Sequence, residues 1–193
     1  MTERRKLAKE TADYAHATQT RKGSKLPYSI HPHAVAEITA KYTDNEDAVI
    51  AAELHDVLED VSADRYSEQQ MLTDFGPDVV ELVKMVSEDK RADDIVQKSW
   101  EERKNGYINH LSRLTDRDAL IISTADKIHN LSSMIEDYDI IGDDLWTRFN
   151  APKEKQLWYY RQIIDVLETK NLPKDLYRQL SEKVSALSRI INK

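Results

Sequence analysis

The sequence predicts an all-α fold, a single helical bundle of about eight to ten helices, and three observations carry that prediction. Gly is 4 and Pro is 5 among 193 residues, less than half the usual share of about 12% for the two together. Apolar residues recur at helical spacing almost throughout, with no alternating strand-like run, internal repeat or low-complexity linker. Helix start signals fall where the apolar runs begin. A chain of this length fits one domain, residues 1–193, with a sizeable core.

Leu7 and Tyr14 with their neighbours outline a first helix. Pro32 stands at the expected first position of a second, which continues through Val35, Ile38 and Tyr42. Asp44 is the expected cap of a third, running from Glu46 through Leu54 to Leu58. Ser67 with Gln70, and Ser99 with Glu102, have the spacing of capping boxes. Gly76-Pro77 ends one helix and opens the next, through Val80 and Val83. Asp116 precedes a long segment carrying Leu120, Ile121, Ala125, Ile128 and Leu131. Pro152 starts another helix and Pro173 the last, residues 173–193, either docked or an oligomer contact.

Charge bounds the partners. Lys plus Arg is 28 against 35 Asp plus Glu, a net charge of −7. That balance opposes a nucleic-acid coat or a general anionic-membrane binder, whose affinity rests on Lys and Arg. It permits one small basic pocket. The absence of Cys removes disulfides, thiolate zinc sites and cysteine nucleophiles. MTERRKLAKE holds no apolar signal and no later run approaches a membrane span, so the expected compartment is the cytoplasm.

Three segments do not read as core. In Ala51–Asp60, four polar groups crowd the last six positions of an apolar helix. His55 and Glu59 are four apart, as are Asp56 and Asp60. His55 and Asp56 are neighbours about 100° apart around a helix, long enough to converge on one ion. Three acids at a helix C-terminus also oppose its dipole. Asp126 interrupts the apolar run from Leu120 to Leu131, one turn before Asn130. A carboxylate there needs either a basic partner or an ion. The stretch from His16 to His33 carries a short basic loop, Arg21 to Lys25, before His31-Pro32. It is either a solvated turn or an anion clamp beside a metal ligand.

His31, His55-Asp56 and Asp126 together give two imidazoles and two carboxylates. That set suits Mn²⁺, Fe²⁺ or Zn²⁺, and such ions ease loss of a proton from coordinated water.

The order H…HD…D resembles the all-helical HD-domain metallophosphohydrolases. RKGSKLPYSIHP, HDVLED and ADKIHNL are similar, in order and spacing, to the hydrolase half of the Rel/SpoT proteins and to the small alarmone hydrolases. The resemblance runs from about Leu7 to about Thr169 and leaves no room for a synthetase domain. It implies one Mn²⁺ per chain held by His31, His55, Asp56 and Asp126, with other divalent ions as substitutes. It implies that Glu59 and Asp60 handle the attacking water. It implies further that Arg21 stacks on the base, that Lys22 and Lys104 face phosphate, and that Asn130 contacts the sugar region. His16 matches a family histidine and is given a structural role.

Two departures lie on the substrate side. Ser132-Ser133 follow Leu131 where relatives commonly carry an Arg, and the basic loop has an extra residue before Pro27.

The activity the resemblance implies is Mn²⁺-dependent removal of the 3′-pyrophosphate from ppGpp or pppGpp. The alternatives are the same chemistry on an adenine alarmone or NADPH, and a non-catalytic, antitoxin-like nucleotide binder. The implied partner is a small nucleotide, with no nucleic acid and no membrane, and a homo-oligomer stays open.

Overall fold

Side-chain caps set most helix boundaries in the computed structural model, which describes residues 1–87 and 98–192. Thr2 accepts from the Arg5 N–H and opens α1 (Glu3–Ala15). α2 (Ile30–Thr39) begins two residues before Pro32, which therefore sits third in the helix. Asn45, not Asp44, caps α3 (Glu46–Leu54) by accepting from the Asp47 N–H. α3 stops at Leu54, short of the expected Leu58, and a separate turn, α4 (Val57–Asp60), follows.

Ser67 caps α5 (Glu68–Phe75), yet the box is half made, because the Gln70 side chain donates to Asp74 instead. Gly76 takes φ +89, open only to a residue without Cβ, and passes the chain to Pro77 at the start of α6 (Pro77–Val86). The Ser99–Glu102 box is complete at α7 (Trp100–Arg113). Asp116 caps α8 (Arg117–Ile141), followed by a 3-10 segment (Gly142–Arg148). Pro152 and Pro173 precede α9 (Lys153–Glu168) and α10 (Lys174–Ile191). Among the described residues there is no strand, only an isolated bridge between Thr20 and Pro27.

The architecture is all-α, with α8 as its axis. Its inner side, from Ala119 to Leu131, is buried against α2, α3, α6 and α10. α3 is buried from Ala48 to Leu54. Small residues let it approach α1 closely: Ala48, Ala51 and Ala52 on α3, Ala8, Ala12 and Ala15 on α1. Leu7 and Tyr14 lie on the exposed side of α1. α10 is docked. Leu176, Leu180, Val184, Leu187 and Ile191 form its buried stripe, packed on α8 and α9. Full burial of each such side chain stabilises by about 1.5–3 kcal/mol. Among the described residues no helix is long and apolar enough to cross a membrane.

Candidate active site

The break between α3 and α4 orients the central histidine. His55 Nδ1 donates to the Ala52 carbonyl at 2.8 Å, and the His55 carbonyl accepts from the Ser87 hydroxyl at 3.1 Å. With Nδ1 fixed on the Ala52 carbonyl, the other ring nitrogen faces the carboxylates. That Nε2 is buried and has no hydrogen-bond partner. It lies 3.2 Å from Asp56 Oδ1 and 3.9 Å from Asp126 Oδ1.

His31 arrives from the first turn of α2. Its Nε2 stands 3.4 Å from Asp56 Oδ2 and 3.2 Å from Asp126 Oδ1. Its Nδ1 is 2.7 Å from Nδ1 of His129. Burial, then the charges of His31 and Arg21, push His129 down to about 4, so that ring is neutral near pH 7. A neutral His129 accepts from the His31 Nδ1–H, which aims His31 Nε2 at Asp56 and Asp126.

Asp126 meets both needs read from its sequence. Oδ2 takes Lys127 Nζ at 2.6 Å, and Oδ1 accepts from Asn130 Nδ2 at 2.5 Å while facing the two imidazoles. Burial works against its charge, but Lys127 and His31 outweigh it and hold the carboxyl well below its ordinary value.

His31, His55, Asp56 and Asp126, from α2, the α3–α4 break and α8, therefore bring ring nitrogens and carboxylate oxygens to one point. The ligand atoms of His31, His55 and Asp56 all lie within 4.8 Å of each other. Two buried carboxylates this close need positive charge beside them, and a divalent ion among the atoms supplies it. Two carboxylates balance a divalent ion, and the orphaned His55 Nε2 fits the same reading. His31, His55 and Asp56 are thus a group that could hold a divalent ion, and Asp126 faces the same point.

Tyr28 was not singled out by sequence reasoning. Its hydroxyl donates to Asp56 Oδ2 at 2.7 Å and lies 3.2 Å from Asp60 Oδ2. Burial, then the charges of Asp56 and Asp60, raise the phenol far above its usual value, so it keeps its proton. His16 is buried against the Tyr28 ring and bonded to Gln19, whose amide donates to the Asp60 carbonyl at 2.7 Å. Glu59 is half-buried one residue before Asp60, and its charge reaches His55.

Beside the cluster opens a cleft of about 470 Å³. All four predicted substrate residues, Arg21, Lys22, Lys104 and Asn130, line it. Tyr28, Lys127 and His129, which touch the metal-site carboxylates and His31, line it as well. Glu59 and Asp60 do not; Asp60 meets the cleft through Tyr28. Arg21 donates to Asn130 Oδ1 at 3.3 Å and its guanidinium lies 5.6 Å from the Tyr28 ring centre. Lys22 lies over Phe149 and Lys104 over Tyr159, at 5.5 and 4.9 Å from the ring centres. The basic loop is thus a wall of the cleft. The sequence reading gave Lys127 and His129 no role, although both lie in ADKIHNL and His129 interrupts the apolar run, and Arg148 carried no signal.

The family model for the HD domain matches residues 8–151. The guanosine-3′,5′-bis(diphosphate) 3′-pyrophosphohydrolase of Haemophilus influenzae is 37% identical over 121 residues, 62% of this chain and 17% of that protein. The bifunctional (p)ppGpp synthase/hydrolase SpoT of Escherichia coli is 36% identical over 121 residues, 62% of this chain and 16% of that one. The chain thus spans about one sixth of the length of these relatives. Among solved structures, a metazoan orthologue of SpoT that hydrolyses ppGpp matches with a TM-score of 0.75 at 26% identity, covering 96% of both chains. A Listeria monocytogenes protein matches with a TM-score of 0.68 at 27% identity, covering 84% of this chain and 99% of that one. The chain belongs to the HD-domain family and, within it, is similar to the SpoT and Rel proteins.

Proposed function

We propose that this protein is a Mn²⁺-dependent (p)ppGpp 3′-pyrophosphohydrolase, converting ppGpp and water to GDP and pyrophosphate. The observation that carries the reading is the adjacency of a two-His, two-Asp cluster to a cationic cleft in a chain of net charge −7. His31, His55, Asp56 and Asp126 would hold the ion. When bound, it supplies Lewis acidity toward phosphate and lowers the pKa of water.

The chain's own residues do the rest. Lys22, Lys104 and Lys127 draw the phosphates into the cleft and offset the charge that builds on the 3′-oxygen as its bond to phosphorus breaks. Arg21 stacks on the base, and Asn130, already bonded to Arg21, meets the sugar. Glu59 and Asp60 take up the proton of the attacking water, Asp60 being aligned by Tyr28. The presence of both acids favours turnover over a non-catalytic binder. Stacking by Arg21 tolerates any base, so it supports the nucleotide class more than guanine itself.

The test is a turnover screen of ppGpp, ppApp and NADPH with added Mn²⁺. Release of pyrophosphate and GDP from ppGpp supports the reading. Preferential turnover of ppApp or NADPH reassigns the substrate, and tight binding without turnover makes the protein a nucleotide binder.

A further inference from the structure

The basic loop stands on one arginine. Gly23 takes φ +74, and a Cβ built there would lie 2.4 Å from Arg148 Nε, 2.5 Å from its Cδ and 2.7 Å from its Cζ. The loop backbone therefore rests directly on the Arg148 side chain, which a Cβ at Gly23 would have to push aside, and the positive φ itself favours glycine. Arg148 is itself held, its Nη1 donating to Asp137 Oδ2 at 2.9 Å. The next residue, Phe149, lies under Lys22. The loop is closed at its base by Arg21 N–H to the Leu26 carbonyl at 2.9 Å and by the Thr20–Pro27 bridge.

One stripe of α8 ties these contacts to the metal site. Asp126, Asn130, Ser133 and Asp137 follow at helical steps of four, three and four, so they share a face. Asp126 faces the imidazoles, Asn130 holds Arg21, Ser133 lines the cleft and Asp137 holds Arg148. A single helix thus fixes the spacing between the ion site and two points of the loop, Arg21 and Gly23.

We infer that Arg148 is a positioning residue for substrate binding: clamped by Asp137, it seats the Arg21–Lys25 loop and so sets the distance from the loop's cations to the metal site. The inference deepens the nucleotide-hydrolase reading and rests on it for its kinetic consequence. The seat itself is measurable without substrate.

The experiment compares wild type with Arg148→Ala, Asp137→Asn, Gly23→Ala and the Gly23→Ala/Arg148→Ala pair. Hydrogen exchange of residues 20–28 should speed up about tenfold in Arg148→Ala, with the helical amides unchanged. On whichever of ppGpp, ppApp and NADPH the wild type turns over, KM should rise about tenfold, and kcat should change much less. Gly23→Ala should harm binding through both the contact and the strain of φ +74, and the Arg148→Ala background relieves only the contact. Asp137→Asn keeps the arginine in place while loosening it, so it reports even if Arg148→Ala folds poorly. Unchanged loop exchange in both Arg148→Ala and Asp137→Asn overturns the inference. If the wild type turns over none of the three nucleotides, the hydrolase reading fails, while loop exchange still decides whether Arg148 is the seat.

Discussion

The Tyr28 hydroxyl donates to Asp56 Oδ2 at 2.7 Å, from a residue 28 positions earlier in the chain. It thereby joins an expected metal ligand to Asp60, one of the two expected water-handling acids, 3.2 Å from the same hydroxyl. Groups that orient a ligand tune the metal as well as the ligand itself does.

Tyr28→Phe keeps the ring against His16 and removes only that link. Divalent-ion affinity should fall about ten- to a hundredfold. Titration calorimetry with Mn²⁺ reads this directly, and unchanged affinity would make the hydroxyl a packing feature.

Glu59→Gln/Asp60→Asn separates ion binding from chemistry. The double variant should retain Mn²⁺ and bind nucleotide, while kcat falls about a hundred- to ten-thousandfold. Steady-state kinetics beside metal analysis checks it, and near-normal kcat would leave both acids with structural duties alone.

Arg21 spans the loop and α8, so its loss acts on binding. Arg21→Ala should raise KM by roughly ten- to a hundredfold and change kcat less. Lys22→Ala should weaken binding more at low ionic strength than at high, since a phosphate contact is screened by salt. Wild-type kinetics in both variants would return the loop to a solvated turn.

The helical class was legible in residue type and short spacing, and the four candidate ligands stood out as polar groups in or beside apolar runs, in an order that resembles the HD family. The Ser99–Glu102 and Asp116 caps were legible in residue type and short spacing too. The stop at Leu54 was hidden, since Val57 and Leu58 prolong the apolar pattern while His55 turns its ring onto Ala52. Asn45 displaced Asp44, and Asp74 drew Gln70 away from its box, both by local competition between polar side chains. The partners of His31, Asp56 and Gly23 were beyond reach. Their contacts with His129, Tyr28 and Arg148 join residues far apart in sequence, and no short-range pattern encodes them.

His33 supplies a pH-dependent tie among the first three helices. One ring nitrogen meets Glu53 of α3, and the other lies 3.1 Å from Asp13 of α1. The Glu53 hydrogen bond raises its pKa above the ordinary 6.5, against the effect of burial, and Asp13 adds to the rise. A raised folded-state value means that this contribution is fully present below 6.5 and is lost as pH rises through the folded pKa. His33→Gln should therefore lower Tm more at about pH 6 than at about pH 9. Equal loss at both values would assign His33 a purely steric role.

The central claim, that His31, His55, Asp56 and Asp126 hold the ion on which turnover depends, is tested by measuring bound Mn²⁺ and pyrophosphate release together. The comparison is wild type against Asp56→Asn and His55→Ala/Asp56→Ala. The account predicts one ion per wild-type chain, loss of pyrophosphate release in both variants, weakened Mn²⁺ binding, and unchanged helical circular dichroism. Full Mn²⁺ occupancy in the His55→Ala/Asp56→Ala protein, or undiminished pyrophosphate release from Asp56→Asn, would contradict it.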